Sequence, residues 1–217
     1  MILSRRMILA VALMAAFRPA SAQSMPLVDA AAAGDLASVI RLLGEGVAVD
    51  NRDTRGRTPL LAATQANHVS IARALIAAGA DVNAKDAIED SPFLYAGAEG
   101  RLEILQLTLA QADLKSVNRF GGTALIPAAH HGHVETVRVL LDTAIDIDHV
   151  NRLGWTALLE AVILGDGGPR HAEIVRLLVA RGARIDLTDR DGVTPLQHAE
   201  RRGQTAVVAI LQTAKSR

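Results

Sequence analysis

A short triplet that returns at a nearly constant interval constrains this 217-residue chain more than any other feature. Thr58-Pro59-Leu60 reappears as Ser91-Pro92-Phe93, Thr123-Ala124-Leu125, Thr156-Ala157-Leu158 and Thr194-Pro195-Leu196, with Met25-Pro26-Leu27 as a degenerate first copy. The successive spacings are 33, 33, 32, 33 and 38 residues. Three residues after each triplet stands an alanine (Ala30, Ala63, Ala96, Ala128, Ala161, Ala199), and beyond it a glycine at 34, 100, 132, 165 and 203, with Asn67 once in its place. A unit this short cannot bury its apolar face alone, so the copies must stack into one continuous core.

Each unit has a local physical reading. Thr or Ser is expected to cap a short helix, its hydroxyl accepting from an unpaired N–H of the first turn, and the adjacent Pro preorganises that turn. The Leu and the following Ala face inward together, the Ala letting a second helix approach closely. Gly or Asn ends the first helix in a left-handed turn. A second, amphipathic helix follows, with apolar residues at i, i+3 and i+4, as in Val39, Leu42, Leu43 and in Val137, Leu140, Leu141. Polar stretches such as Asn51-Arg52-Asp53-Thr54-Arg55-Gly56 then turn the chain into the next cap. With five aromatic residues in all (Phe17, Phe93, Tyr95, Phe120, Trp155), the core must be built from Ala, Leu, Val and Ile.

These residues resemble the ankyrin repeat, a β-turn plus two antiparallel helices with a Thr-Pro-Leu-His-x-Ala motif, and the resemblance covers residues 25–217. It implies an all-α solenoid of about six repeats, read as units 25–57, 58–90, 91–122, 123–155, 156–193 and 194–217. The chain departs from the motif in places. The motif histidine is Val28, Leu61, Leu94, Ile126, Leu159 or Gln197, so the polar links that it makes between repeats are expected to be lost. Unit three lacks one residue and its closing Gly, and unit four has Ala144 where Gly is expected, so irregular turns are expected there. Unit five carries five extra residues, Asp166 to Arg170, in which Gly167-Gly168-Pro169 reads as loop.

Ahead of the repeats, Ser4-Arg5-Arg6 precedes an apolar run from Met7 to Phe17, then Arg18-Pro19 and Ala20-Ser21-Ala22. This order predicts a signal peptide at 1–22 with cleavage before Gln23, and a periplasmic or secreted mature chain. The 11-residue run is too short to span a bilayer, and no later stretch could do so. Paired arginines suit the twin-arginine route, and general secretion also accepts them. The chain has 23 basic and 23 acidic residues; losing Arg5, Arg6 and Arg18 with no acid leaves a net charge of −3. That balance provides no basic face for nucleic acid. The absence of Cys excludes disulfides, thiolate metal sites and cysteine nucleophiles.

The strongest hint of chemistry is His130-His131-x-His133. His130 and His131 diverge by about 100° on a helix, so the three are poorly placed to share one ion, and His133 takes the same place after the interhelical Gly as His68 and His171. The Asp residues in the turns (Asp50, Asp53, Asp81, Asp86, Asp146, Asp148, Asp186, Asp189, Asp191) follow the repeat and are expected to cap turns rather than bind calcium. There is no Gly-rich phosphate loop or nucleophile elbow. No enzyme activity, metal or cofactor is expected, and the chain is expected to be a monomer.

The resemblance implies binding of another protein, with contacts from the turn tips and the exposed end of each first helix. Carried over by position, the middle of that groove holds Phe120, His130, His131, Leu153, Trp155, Ile163 and Leu164, with Trp155 expected near its centre. Its ends hold Arg52, Arg55 and Arg57 on one side and Arg190, Arg201 and Arg202 on the other. Apolar and aromatic groups ringed by Arg are the composition of binding hot spots. Three classes remain: an adaptor or stabiliser of an envelope protein, an inhibitor or immunity-type partner of an enzyme, and, less favoured, a metal-dependent enzyme.

Overall fold

The computed structural model describes residues 26–216, and the expected signal peptide lies outside them. Among the described residues there are twelve α-helices and no strand. They come in six pairs: α1 (Pro26–Ala33) with α2 (Leu36–Gly44), α3 (Pro59–Gln65) with α4 (Val69–Ala77), α5 (Pro92–Ala98) with α6 (Leu102–Thr108), α7 (Leu125–His130) with α8 (Val134–Leu141), α9 (Ala157–Ile163) with α10 (Pro169–Ala180), and α11 (Pro195–Arg201) with α12 (Thr205–Lys215). First helices stack on first helices and second on second, giving a two-layered solenoid. None of these helices is long and apolar enough to cross a membrane.

The triplet's last residue supplies one row of the core in the first five units, since Leu27, Leu60, Phe93, Leu125 and Leu158 are fully buried, while Leu196 of the last unit is half-buried. The alanine row from Ala30 to Ala199 is buried beside it, which is what lets short helices approach so closely. Where α5 meets the next unit even a methyl does not fit: a Cβ on Gly97 would lie 2.8 Å from Ala124 Cβ.

Caps follow the expectation in four units. Thr58, Ser91, Thr156 and Thr194 each accept the N–H three residues on, at 3.2 Å, and Thr194 adds a reciprocal bond from its N–H to Gln197 Oε1 at 2.9 Å. Thr123 does not cap. The Ile126 N–H that would have met its hydroxyl bonds the Thr123 carbonyl instead, Pro127 brings no N–H, and α7 starts at Leu125 with the Thr123 hydroxyl buried and unpaired.

The closing turns show how the irregular units are managed. α6 runs out into a 3₁₀ turn, Leu109–Gln111. After α8, where Gly is missing, the Thr143 hydroxyl donates to Leu140 O at 2.6 Å and accepts from Ile145 N at 3.2 Å. In unit five the loop reading of Gly167-Gly168-Pro169 needs correction, because Pro169 is the first residue of α10, which is lengthened to twelve residues. A proline costs nothing there, since its missing N–H has no helical acceptor to serve.

The links that the motif histidine would make are replaced by others from a different position of the unit. The imidazole at the start of the second helix takes over: His68 Nε2 meets Ala32 O at 3.3 Å and His171 Nε2 meets His130 O at 2.8 Å, each a carbonyl at the end of the preceding unit's first helix. In the last unit Gln204 does the same, donating to Val162 O at 3.0 Å. Carbonyls at a helix end lack intrahelical donors, so a side chain one unit on can satisfy them.

Candidate binding groove

The turns between units share one hydrogen-bonded frame. In five successive turns an Asx side-chain oxygen accepts the N–H groups two and four residues on: Asp53 from Arg55 and Arg57, Asp86 from Ile88 and Asp90, Asn118 from Phe120 and Gly122, Asn151 from Leu153 and Trp155, Asp189 from Asp191 and Val193. Distances run from 2.9 to 3.1 Å. The Asx N–H bonds the carbonyl four residues on in every case, closing the loop. These Asp and Asn oxygens are therefore occupied by backbone donors.

This frame places the residue two after each Asx at the tip. The tips read Arg55, Ile88, Phe120, Leu153 and Asp191, so three adjacent tips carry large apolar side chains, exposed by 52%, 52% and 46% for Ile88, Phe120 and Leu153. Beside them, Phe120, Leu153 and Leu164 meet His130, His131 and Pro127 around a concavity of about 360 Å³. Arg119 stands over the Phe120 ring at 4.8 Å and reaches Asp90 at 3.4 Å, which holds the ring's position at the edge.

Of the expected contact residues, Phe120, His130, His131, Leu153 and Leu164 line this concavity, whereas Trp155 and Ile163 do not. Trp155 occupies the foot of its turn, in register with Arg57, Asp90, Gly122 and Val193; it is half-buried and its N–H and carbonyl are both bonded to Asn151. The arginines divide. Arg57 is clamped between Asp53 Oδ2 at 2.8 Å and Gln65 Oε1 at 2.9 Å. Arg52 donates to Lys85 O, Arg190 to Arg152 O and Arg202 to Gly165 O, each joining one unit to another. Arg55 and Arg201 are exposed, and Arg55 lies 3.9 Å from Asp53 of its own turn.

The floor of the concavity holds a group that the repeat pattern hides. Glu160 of α9 is buried, and Asn151 Nδ2 donates to its Oε1 at 2.8 Å. Burial pushes its carboxyl above the ordinary Glu value, an effect the Asn151 bond opposes. His130 Nδ1 lies 3.8 Å from Oε2, and burial, followed by the neighbouring His131, lowers the His130 pKa. Burial likewise raises Asp90, against the pull of Arg119. The last unit has a parallel contact, His198 Nε2 to Asp189 Oδ2 at 2.7 Å, with the same nine-residue offset from turn Asx to helix side chain. That offset, together with a lone Glu inside Leu158-Leu159-Glu160-Ala161-Val162, is the signal by which Glu160 is detectable in sequence.

The histidines serve the frame. His131 Nδ1 meets Ala98 O at 2.8 Å, and the His133 ring packs over Gly100, where a Cβ would lie 2.6 Å from Nδ1. Rings 130 and 131 stack at 4.6 Å with a 48° tilt rather than converging on a point. Among the described residues no group of three or more His, Asp or Glu side chains is arranged to hold a metal ion.

Comparison with known proteins agrees with this architecture. The family model described as ankyrin repeats (3 copies) matches residues 11–86 and 93–189. The ankyrin repeat protein YahD of Escherichia coli (strain K12) is 40% identical over 187 residues, covering 85% of this chain and 93% of that one. The crystal structure of an ankyrin repeat domain from Acinetobacter baumannii AYE superposes with a TM-score of 0.85 at 54% identity, covering 88% of this chain and 97% of that one. A chain in the structure of the predatory endopeptidase Bd0816 from Bdellovibrio bacteriovorus in complex with immunity protein Bd3460 superposes at 0.75 with 25% identity, covering 88% and 98%. With its period, its stacked helix pairs and these matches, the chain belongs to the ankyrin-repeat family.

Proposed function

We propose that this chain is an exported protein-binding module, an adaptor or stabiliser of a periplasmic or envelope protein, and that it binds through the concave groove rather than catalysing a reaction. The observation that carries this reading is the run of exposed apolar tips, Ile88, Phe120 and Leu153, on turns each braced by three hydrogen bonds. Exposed apolar side chains are costly to a monomer and useful to an interface. Held on rigid turns, they lose little conformational entropy on association. A photo-crosslinking residue at position 120 or 153 should trap a discrete partner in cells, and one at Arg73 on α4 should not. The partner's affinity should fall at least ~10-fold in a Phe120→Ala, Leu153→Ala double variant that keeps its helical signal. Equal trapping from both faces would sink the groove reading.

A second reading has an observation of its own. The similarity to a chain from an endopeptidase–immunity protein complex favours a partner that is an enzyme blocked by this chain. Adding the purified protein to the trapped partner separates the two: loss of a hydrolytic activity supports the inhibitor, and unchanged activity with increased partner stability supports the adaptor.

A further inference from the structure

Glu160 is only 6% exposed, yet just one of its two carboxylate oxygens is engaged: Oε1 accepts from Asn151 Nδ2, and Oε2 has no hydrogen-bond donor among the described residues. Oε2 is not among the atoms sealed from solvent without a partner, so it faces the cavity, and His130 Nδ1 lies beyond hydrogen-bond distance of it at 3.8 Å. The cavity onto which Glu160 opens carries a surplus of negative charge, Asp90, Glu99 and Glu160 against the single guanidinium of Arg119, itself directed at Asp90. Its mouth is apolar, formed by Phe120, Leu153 and Leu164.

Resting on the groove reading above, we propose that this cavity receives a lysine side chain of the partner protein, its ammonium on Glu160 Oε2 and its methylene stem against Phe120, Leu153 and Leu164. Lysine is favoured over arginine by the geometry of the acceptor. A guanidinium gains most from a two-pronged pairing with both carboxylate oxygens, and Asn151 already occupies one of them. An ammonium is a point charge that needs a single strong acceptor, and its four-carbon stem suits an apolar mouth. His130 Nδ1 stops 3.8 Å short of Oε2, so the hydrogen-bonding place on that oxygen stays open to an ammonium.

The test pans a displayed library of random dodecapeptides on the purified protein, on the Phe120→Ala, Leu153→Ala double variant and on Glu160→Gln. The amide oxygen introduced by Glu160→Gln can still accept from Asn151 while carrying no charge. Peptides whose capture depends on Phe120 and Leu153 should share a lysine, and their Kd should weaken at least ~10-fold both on Glu160→Gln and when that lysine is acetylated. Acetylation reads the charge from the peptide side with the protein untouched. Groove-dependent peptides that share an arginine, or no cation, and are indifferent to Glu160→Gln would overturn the lysine assignment and leave the groove reading standing. Peptides that bind the double variant as well as the parent would overturn the groove reading itself.

Discussion

Replacing Asn151 with Ala should cost this fold more than replacing Asn118 with Ala, and the difference measures how far the turns and the groove floor are one structure. Both side chains accept two backbone N–H groups in their own turn, at 2.9 and 3.0 Å for Asn151 and at 2.9 and 3.1 Å for Asn118. Asn151 alone also donates to the helix that follows its turn, to Glu160 Oε1 at 2.8 Å. These are bonds between neutral groups in exposed or half-buried turns, each worth about 1 kcal/mol. Asn118→Ala should therefore cost about 2 kcal/mol. A bond to a buried carboxylate is worth about 1.5–3 kcal/mol, which brings Asn151→Ala to roughly 4 kcal/mol. For a chain of this size, each kcal/mol moves the thermal midpoint by about 2–4 °C, so the variants should melt about 4–8 °C and about 8–16 °C below the parent. Urea and thermal unfolding followed by circular dichroism at about pH 7 would read both. Equal losses in the two variants would refute the claim that Asn151 braces Glu160, and with it the account of how the groove floor is held.

Three further outcomes are expected. Because burial raises the Glu160 carboxyl above its ordinary 4.5, the native chain holds that proton more tightly than the unfolded chain, so this group's contribution favours folding at low pH and is lost as pH rises through its folded value; Glu160→Gln should accordingly melt higher than the parent at about pH 7, with the gain vanishing below pH 4.5, and thermal midpoints across that range check the sign. Gly97→Ala should destabilise by about 1–3 kcal/mol through overlap with Ala124, despite the roughly 1 kcal/mol that Ala gains over Gly in a helix, whereas Gly44→Ala, whose Cβ meets nothing within 4 Å, should be neutral or stabilising; denaturant midpoints of the pair decide it. If the chain is exported as proposed, intact-mass analysis should find it beginning at Gln23, and Arg5→Lys with Arg6→Lys should abolish export by the twin-arginine route while leaving general secretion unchanged.

The sequence by itself determined the stacked helical architecture, because every rule behind it is local: a cap three residues from its donor, an Asx two and four residues from the amides it accepts, a small residue facing each approach. Those rules recur from unit to unit, and repetition makes a weak local preference unmistakable. It also brought Phe120, Leu153, Leu164 and the two histidines to one groove, since equal positions in successive units fall in register. Tertiary structure decided what each side chain does once there. Arg52, Arg190 and Arg202 stand where a binding rim was expected and are tied to carbonyls of other units, because those backbone acceptors come within their reach only after stacking, whereas Arg57 is held by the side chains of Asp53 in its own turn and of Gln65. Thr123 has the letter of a cap and lacks the bond, since a carbonyl already holds its donor. Glu160 meets the cavity that also holds Asp90 only because two units lie side by side between and around them, and the burial that perturbs both carboxyls is a property of that stack, absent from any single repeat.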